Sequence, residues 1–173
     1  MRPVRPILIP EPVFRPRVPD ESAFDGAAFL GLARKAKRDP YRLGLFARHF
    51  ETDEGALALL PIAGGTIVLT NQRFLEFQTH LEVDGAWNVR EFSGYTISRQ
   101  LALSLIAGAN HVAAVPRSPQ SSLAVDDVLR IETSEGPMDF VLSRGPEAVV
   151  PSEDVDRMIG ILRQRSRFRG PTA

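Results

Sequence analysis

The stretch Gly65-Thr66-Ile67-Val68-Leu69-Thr70-Asn71-Gln72-Arg73-Phe74-Leu75-Glu76-Phe77 decides the fold. An aliphatic, β-branched run is followed by Thr-Asn-x-Arg and by a second apolar run, so two strands are expected to fold back on each other about Asn71-Gln72. Asparagine tolerates the left-handed turn conformation, and Thr70 and Arg73 are placed to hydrogen-bond across the hairpin. On the N-terminal side, Ala56–Ile62 reads as a further strand joined through Ala63-Gly64-Gly65, which makes three antiparallel strands.

On the C-terminal side, an excursion through Asp84-Gly85 and Gly94 leads to strands expected over 96–106 and 111–115, then to a loop containing Pro116, Arg117, Ser118 and Pro119. A last hairpin pairs 128–133 with 138–142 about Ser134-Glu135-Gly136-Pro137. Pro151-Ser152 opens a helix with Val155, Met158, Ile159 and Leu162 on one face. Its first turn is acidic (Glu153, Asp154, Asp156) and its end is rich in arginine, which matches the helix dipole at both ends.

The segment before the strands divides in two. Six prolines between Pro3 and Pro19 forbid helix, so residues 1–22 read as an extended, polyproline-like arm. Its aliphatic and aromatic residues Ile7, Leu8, Ile9 and Phe14 are the candidates for docking onto a partner. Ser22 and Asp25 resemble a capping box, and Phe29, Leu32, Ala33 and Ala36 follow at helical spacing, predicting a helix over 23–37. Asp39 as N-cap, Pro40 at the first position, and Leu43, Phe46, Ala47 and Phe50 predict a second helix to about residue 50.

Composition narrows the chemistry. The 173 residues include no cysteine, so disulfides, thiolate metal sites and a cysteine nucleophile are excluded, and a reducing compartment such as the cytoplasm is expected. His49, His80 and His111 are isolated from one another and from metal-ligand spacings. No Gly-x-Ser-x-Gly, P-loop or Gly-x-Gly-x-x-Gly motif occurs, and the adjacent Asp126-Asp127 point to opposite faces of a strand. The expectation is a non-enzymatic chain without metal or cofactor.

Charge is neutral overall but unevenly spread. Residues 1–50 hold ten lysines and arginines against five acids, a balance of +5, whereas 51–162 hold seven against sixteen, a balance of −9. So acidic a body, with two tyrosines and one tryptophan in the chain, argues against nucleic acid as a partner. That single tryptophan, Trp87, is a candidate interface anchor in the excursion after Asp84.

About seven short strands followed by an amphipathic helix resemble the layout of the pleckstrin-homology (PH) superfamily. Residues 65–77 preceded by Glu54, together with Asp127-Val128-Leu129-Arg130-Ile131-Glu132-Thr133, Gly136 and Phe140, are similar to GRAM and bacterial PH-like domains over about 51–167. The resemblance implies a mainly β, α+β fold. It would be a bent antiparallel barrel of about seven strands capped by the C-terminal helix, with two helices over 23–50 and the proline-rich arm added in front and a tail over 168–173. It also implies binding rather than catalysis: anionic lipids in some members, peptides or neighbouring subunits in others. Lipid-binding members use cations at the loop joining the first two strands, and here that loop, Ala63-Gly64-Gly65, carries none.

The first functional expectation is therefore a protein-interaction or assembly module, with a protein partner or self-association. The alternative is a peripheral membrane adaptor that meets anionic lipid through Lys35, Lys37, Arg38, Arg163, Arg165, Arg167 and Arg169, at about 1 kcal/mol per cation.

Overall fold

A computed structural model of the chain describes residues 19–84, 89–112, 127–143 and 150–166. The strands are β1 (Ala28–Phe29), β2 (Ala56–Ile62), β3 (Gly65–Thr70), β4 (Arg73–Asp84), β5 (Val89–Ala102), β6 (Ile106–Val112), β7 (Asp127–Thr133) and β8 (Gly136–Ser143). Two α-helices accompany them, α1 (Pro40–Ala47) and α2 (Ser152–Arg165). The first sheet has the order β1-β2-β3-β4-β5 and the second β6-β7-β8. Pairing is antiparallel throughout except between β1 and β2, which run parallel.

The hairpin that Thr70-Asn71-Gln72-Arg73 predicts is present, with Leu69 opposite Phe74 and Val68 opposite Leu75. Gly65 is required where β3 begins, because a Cβ there would lie 2.3 Å from the Phe77 carbonyl oxygen. The β4 and β5 strands then run on well past β3, their last pair being Asp84 with Val89.

Alternation along the strands gives the first sheet two buried faces. Ala58, Leu60, Ile67, Leu69 and Phe74 share a core with the second sheet and with Val155, Met158 and Leu162 of α2. Leu59, Val68, Leu75 and Phe77 point the other way and pack with Phe24, Leu43, Phe46 and Phe50. Successive side chains on a strand face opposite sides, so each of these strands must be apolar at nearly every position. The two sheets are joined where the Ala63 amide donates to the Leu142 carbonyl at 2.9 Å. Phe74 meets Phe140 edge to face at 4.9 Å, and the Arg99 guanidinium lies 4.1 Å from the centre of the same Phe140 ring.

Three expectations need correction. Among the described residues the strands do not close into one barrel. The 3-10 turn Leu103–Leu105 ends β5 and redirects the chain, so that β6 pairs with β7 and starts the second sheet. The strand expected over 96–106 therefore divides, and β6 begins earlier than 111.

The helix predicted over 23–37 is also absent. In its place are two 3-10 turns, Glu21–Phe24 and Gly31–Arg34, on either side of β1. The cap is Asp20, which accepts the Ser22 amide at 3.0 Å. The Leu30 amide, which a helix would direct within the segment, instead donates to Leu59 of β2 at 2.9 Å. Gly31 then takes a φ of +60°, which no continuing helix allows. Finally, α1 ends at Ala47 rather than near residue 50. By contrast α2 has the expected place, acidic first turn and Arg163 and Arg165 in its last turn.

Two glycines separate the packing account from simple propensity. Gly65→Ala is expected to lower stability by about 1–3 kcal/mol through overpacking, whereas Gly160→Ala, mid-helix with nothing within 4 Å of the added methyl, is expected to raise it by about 0.5–1 kcal/mol. Urea midpoints that shift in opposite directions confirm this, and a tolerated Gly65→Ala would contradict the close approach of β3 to β4.

Candidate functional site

Two arrangements of charged side chains stand out, and they differ in what they leave for a ligand. The first surrounds the β3–β4 turn. Glu54 is buried, and its carboxylate accepts from Arg73 Nη2 at 2.7 Å and Nε at 3.0 Å, from Thr70 Oγ1 at 2.6 Å and from the Glu51 amide at 2.7 Å. Arg73 uses two further donors on the His49 carbonyl (2.9 Å) and Gln100 Oε1 (2.7 Å). Thr70 Oγ1 in turn accepts the Arg73 amide at 2.8 Å, the cross-hairpin bond that the motif predicts. Asn71 closes the turn onto the preceding loop, accepting the Gly55 amide and donating to the Asp53 carbonyl.

Burial alone would push the Glu54 carboxyl up. The hydrogen bonds from Arg73, Thr70 and the Glu51 amide, with the arginine's charge, outweigh it and hold the group below its ordinary value. The hydrogen bond to Glu54 raises Arg73 in turn. Four of the five guanidinium N–H groups of Arg73 are engaged by the protein itself, so the Thr-Asn-x-Arg motif is a structural clasp.

The second arrangement is a cleft of about 600 Å³ between the N-terminal segment and the first sheet. Phe29 of β1, Leu59 of β2 and Tyr95 of β5 line it from the sheet, and Leu43 and Phe46 line it from α1. Phe46 stacks on Tyr95 with centroids 4.0 Å apart and planes 16° from parallel, and it meets Phe77 edge to face at 5.0 Å. The Tyr95 hydroxyl is pushed up chiefly by burial, with Arg42 opposing that shift and Asp39 adding to it.

The rim is cationic. Arg34, Lys37, Arg38 and Arg42 border the cleft, and Asp39 is the acid among the lining residues. Asp39 is also the N-cap of α1, its Oδ1 accepting the Tyr41 amide at 3.1 Å. Arg42 lies 3.7 Å from Asp39, and Arg38 donates to Asp25 at 2.7 Å. Arg34 is paired with Asp154, a carboxylate of α2 that is only 1% exposed and also accepts the Gly31 amide at 2.8 Å. Lys37 has no ion pair among the described residues.

Of the cations that the sequence nominates, Lys37 and Arg38 lie on this rim and Lys35 is exposed on the same stretch. Arg163 and Arg165 are exposed at the far end of α2 and do not line the cleft. Ile7, Leu8, Ile9, Phe14, Trp87, Arg167 and Arg169 lie outside the described residues. Sequence reasoning missed Arg34 and Arg42 as rim residues and the whole apolar lining. The available signal was the density of cations over 34–42 combined with apolar residues on both faces of β2.

Among the described residues no group of three or more histidines or acids is placed to hold a metal, and His111 is paired with Asp127 at 2.6 Å. No described helix is long and apolar enough to cross a membrane. No protein-family model matches the chain, and no curated protein matches it.

The clasp makes a pH prediction. A carboxylate held below its ordinary value stabilises the fold above that value, and the contribution is lost as pH falls through the folded-state value. Stability should therefore decline as pH drops below about 4.5, the ordinary glutamate value, and Glu54→Gln should weaken the fold at neutral pH and reduce this dependence. Urea midpoints across the acid range measure it, and an unchanged slope in the variant would contradict the role of Glu54.

Proposed function

We propose that this chain is a non-catalytic protein-interaction or assembly module on a PH-like frame, and that it receives its partner in the cleft between the N-terminal segment and the first sheet. The frame is supported by the order of elements: four antiparallel strands, β2 to β5, then three more, β6 to β8, then a helix packed on their shared core. That order is what the pleckstrin-homology resemblance implies. The β1 strand and α1 are additions: β1 extends the first sheet at its edge, and α1 covers the face of that sheet that points away from α2.

The observation that carries the reading is the cleft itself. Its volume of about 600 Å³ lies within the range of about 300–1,000 Å³ typical of binding sites. Its lining combines aromatic and aliphatic side chains with a few charged groups at the edge. The charged groups are cations, together with one aspartate engaged in capping α1, a set suited to holding an anionic partner. The cytoplasm is the compartment that a cysteine-free chain suits.

Leu32 lines the cleft and is 64% exposed, so a photo-reactive phenylalanine analogue at that position reports what occupies the site. In cells of the source organism it is expected to cross-link to an identified protein, or to a second copy of the chain, with far higher yield than the same group at exposed Glu135. Equal yields at the two positions would overturn the reading, and lipid adducts at position 32 would replace it with the membrane alternative.

A further inference from the structure

We infer that the cleft takes a short acidic peptide segment, an apolar anchor side chain entering its apolar interior while flanking carboxylates meet Arg38 and Arg42 of the rim. The inference rests on the interaction reading above and specifies the partner's chemistry.

The first argument is the division of the cleft into an apolar interior and a charged margin. Phe29, Leu43, Leu59 and Tyr95 offer no charge to an entering group, so the part of the partner that goes deepest must be aromatic or aliphatic. The margin carries Lys37, Arg38 and Arg42 beside Arg34, with Asp25 and Asp39 as their exposed acids, and the Asp39 carboxylate is already engaged by backbone amides and by Arg42. Arg34 is committed to the buried Asp154, so Arg38 and Arg42 are the arginines whose planar fork can meet an incoming carboxylate through two parallel hydrogen bonds.

The second argument is that the rim can exchange partners cheaply. The Arg38–Asp25 and Arg42–Asp39 pairs lie in the open, with Asp25 70% and Arg42 66% exposed. Ion pairs in such positions contribute little to stability. Replacing Asp25 and Asp39 by carboxylates of an incoming segment therefore costs the fold little. Lys37 has no ion pair among the described residues to give up.

Two other occupants are disfavoured by charge. Residues 1–18 of the chain hold Arg2, Arg5, Arg15 and Arg17 against Glu11, so the chain's own arm carries the same sign as the rim. An anionic membrane presents its charge over a whole plane, and that plane would also face the body, where residues 51–162 carry a balance of −9. A short segment limits its charge to the neighbourhood of the rim, and screening over about 8–10 Å hides the rest of the body from it.

The test uses the full chain and fluorescein-labelled octapeptides made of aspartate and glutamate around one variable residue, Phe, Tyr, Trp, Leu or Ile, read by fluorescence anisotropy. At least one is expected to bind saturably, with affinity falling as salt is raised. Changing its acids to amides, or introducing Arg38→Glu with Arg42→Glu, should each weaken it by roughly tenfold. Lys37→Glu, which disturbs no described ion pair, should weaken it as well, and thermal melts of the variants show that they are folded. If no peptide binds, or if amide and acidic peptides bind alike, the acidic class is wrong while the cleft can still be an interaction site. If vesicles of phosphatidylcholine with phosphatidylserine bind and the peptides do not, lipid is the occupant. Failure of the interaction reading itself appears separately, as equal photo-cross-linking at positions 32 and 135.

Discussion

Phe46 holds the N-terminal segment to the sheet, and the site exists because of it. The eight-residue helix α1 is too short to be stable alone, since isolated helices below about 12–15 residues are marginal in water. It is held by packing. Phe46 stacks on Tyr95, meets Phe77 edge to face and lies 6.3 Å from Phe24, so one ring ties three parts of the chain together. Truncating a buried phenylalanine costs about 3–5 kcal/mol, a large share of the stability of a small domain. Arg42 stands four residues before Phe46 and so on the same face of α1. The contact that anchors the helix therefore also aims a rim cation at the cleft.

A second tie acts from the other side of the sheet. Asp154, in the first turn of α2, takes the Gly31 amide and the Arg34 guanidinium, and a carboxylate so buried needs both. Gly31, with its positive φ, turns the chain at that point. The region before residue 51 is thereby bound both to the first sheet and to α2. Without it, Leu59, Val68, Leu75 and Phe77 would lose the covering that Phe24, Leu43 and Phe46 provide, leaving a broad apolar face in water.

What the amino-acid sequence disclosed follows from how local the causes are. The β3–β4 hairpin was legible because its defining bonds are local: Thr70 Oγ1 accepts the amides of Gln72 and Arg73 within four residues. The α2 helix was legible because its terminal charges and its apolar stripe agree. The helix expected over 23–37 failed because Phe29, Leu32, Ala33 and Ala36 have helical spacing, but the backbone amide of Leu30 finds a better partner in β2, a tertiary event that spacing does not record. The end of β5 failed similarly: Leu101 and Leu103 are both buried, and the turn between β5 and β6 has no glycine or proline to mark it. The cleft was the least legible feature. Its lining comes from β1, α1, β2, β3 and β5, and residues as far apart as Phe29 and Tyr95 meet only after folding. One clue was present, since Ala56–Ile62 and Ile67-Val68-Leu69 lack the polar alternation of a half-exposed sheet, which implies cover on both faces.

The account stands on the placement of α1 against β5, and solution NMR tests that placement most directly. Strong nuclear Overhauser contacts between the ring protons of Phe46 and Tyr95, with the Leu43 methyl signals moved by the neighbouring rings, are the predicted result. Absence of those contacts in a folded protein, with the amides of 41–47 exchanging as fast as free peptide, would show that no such cleft exists and would contradict the account at its base.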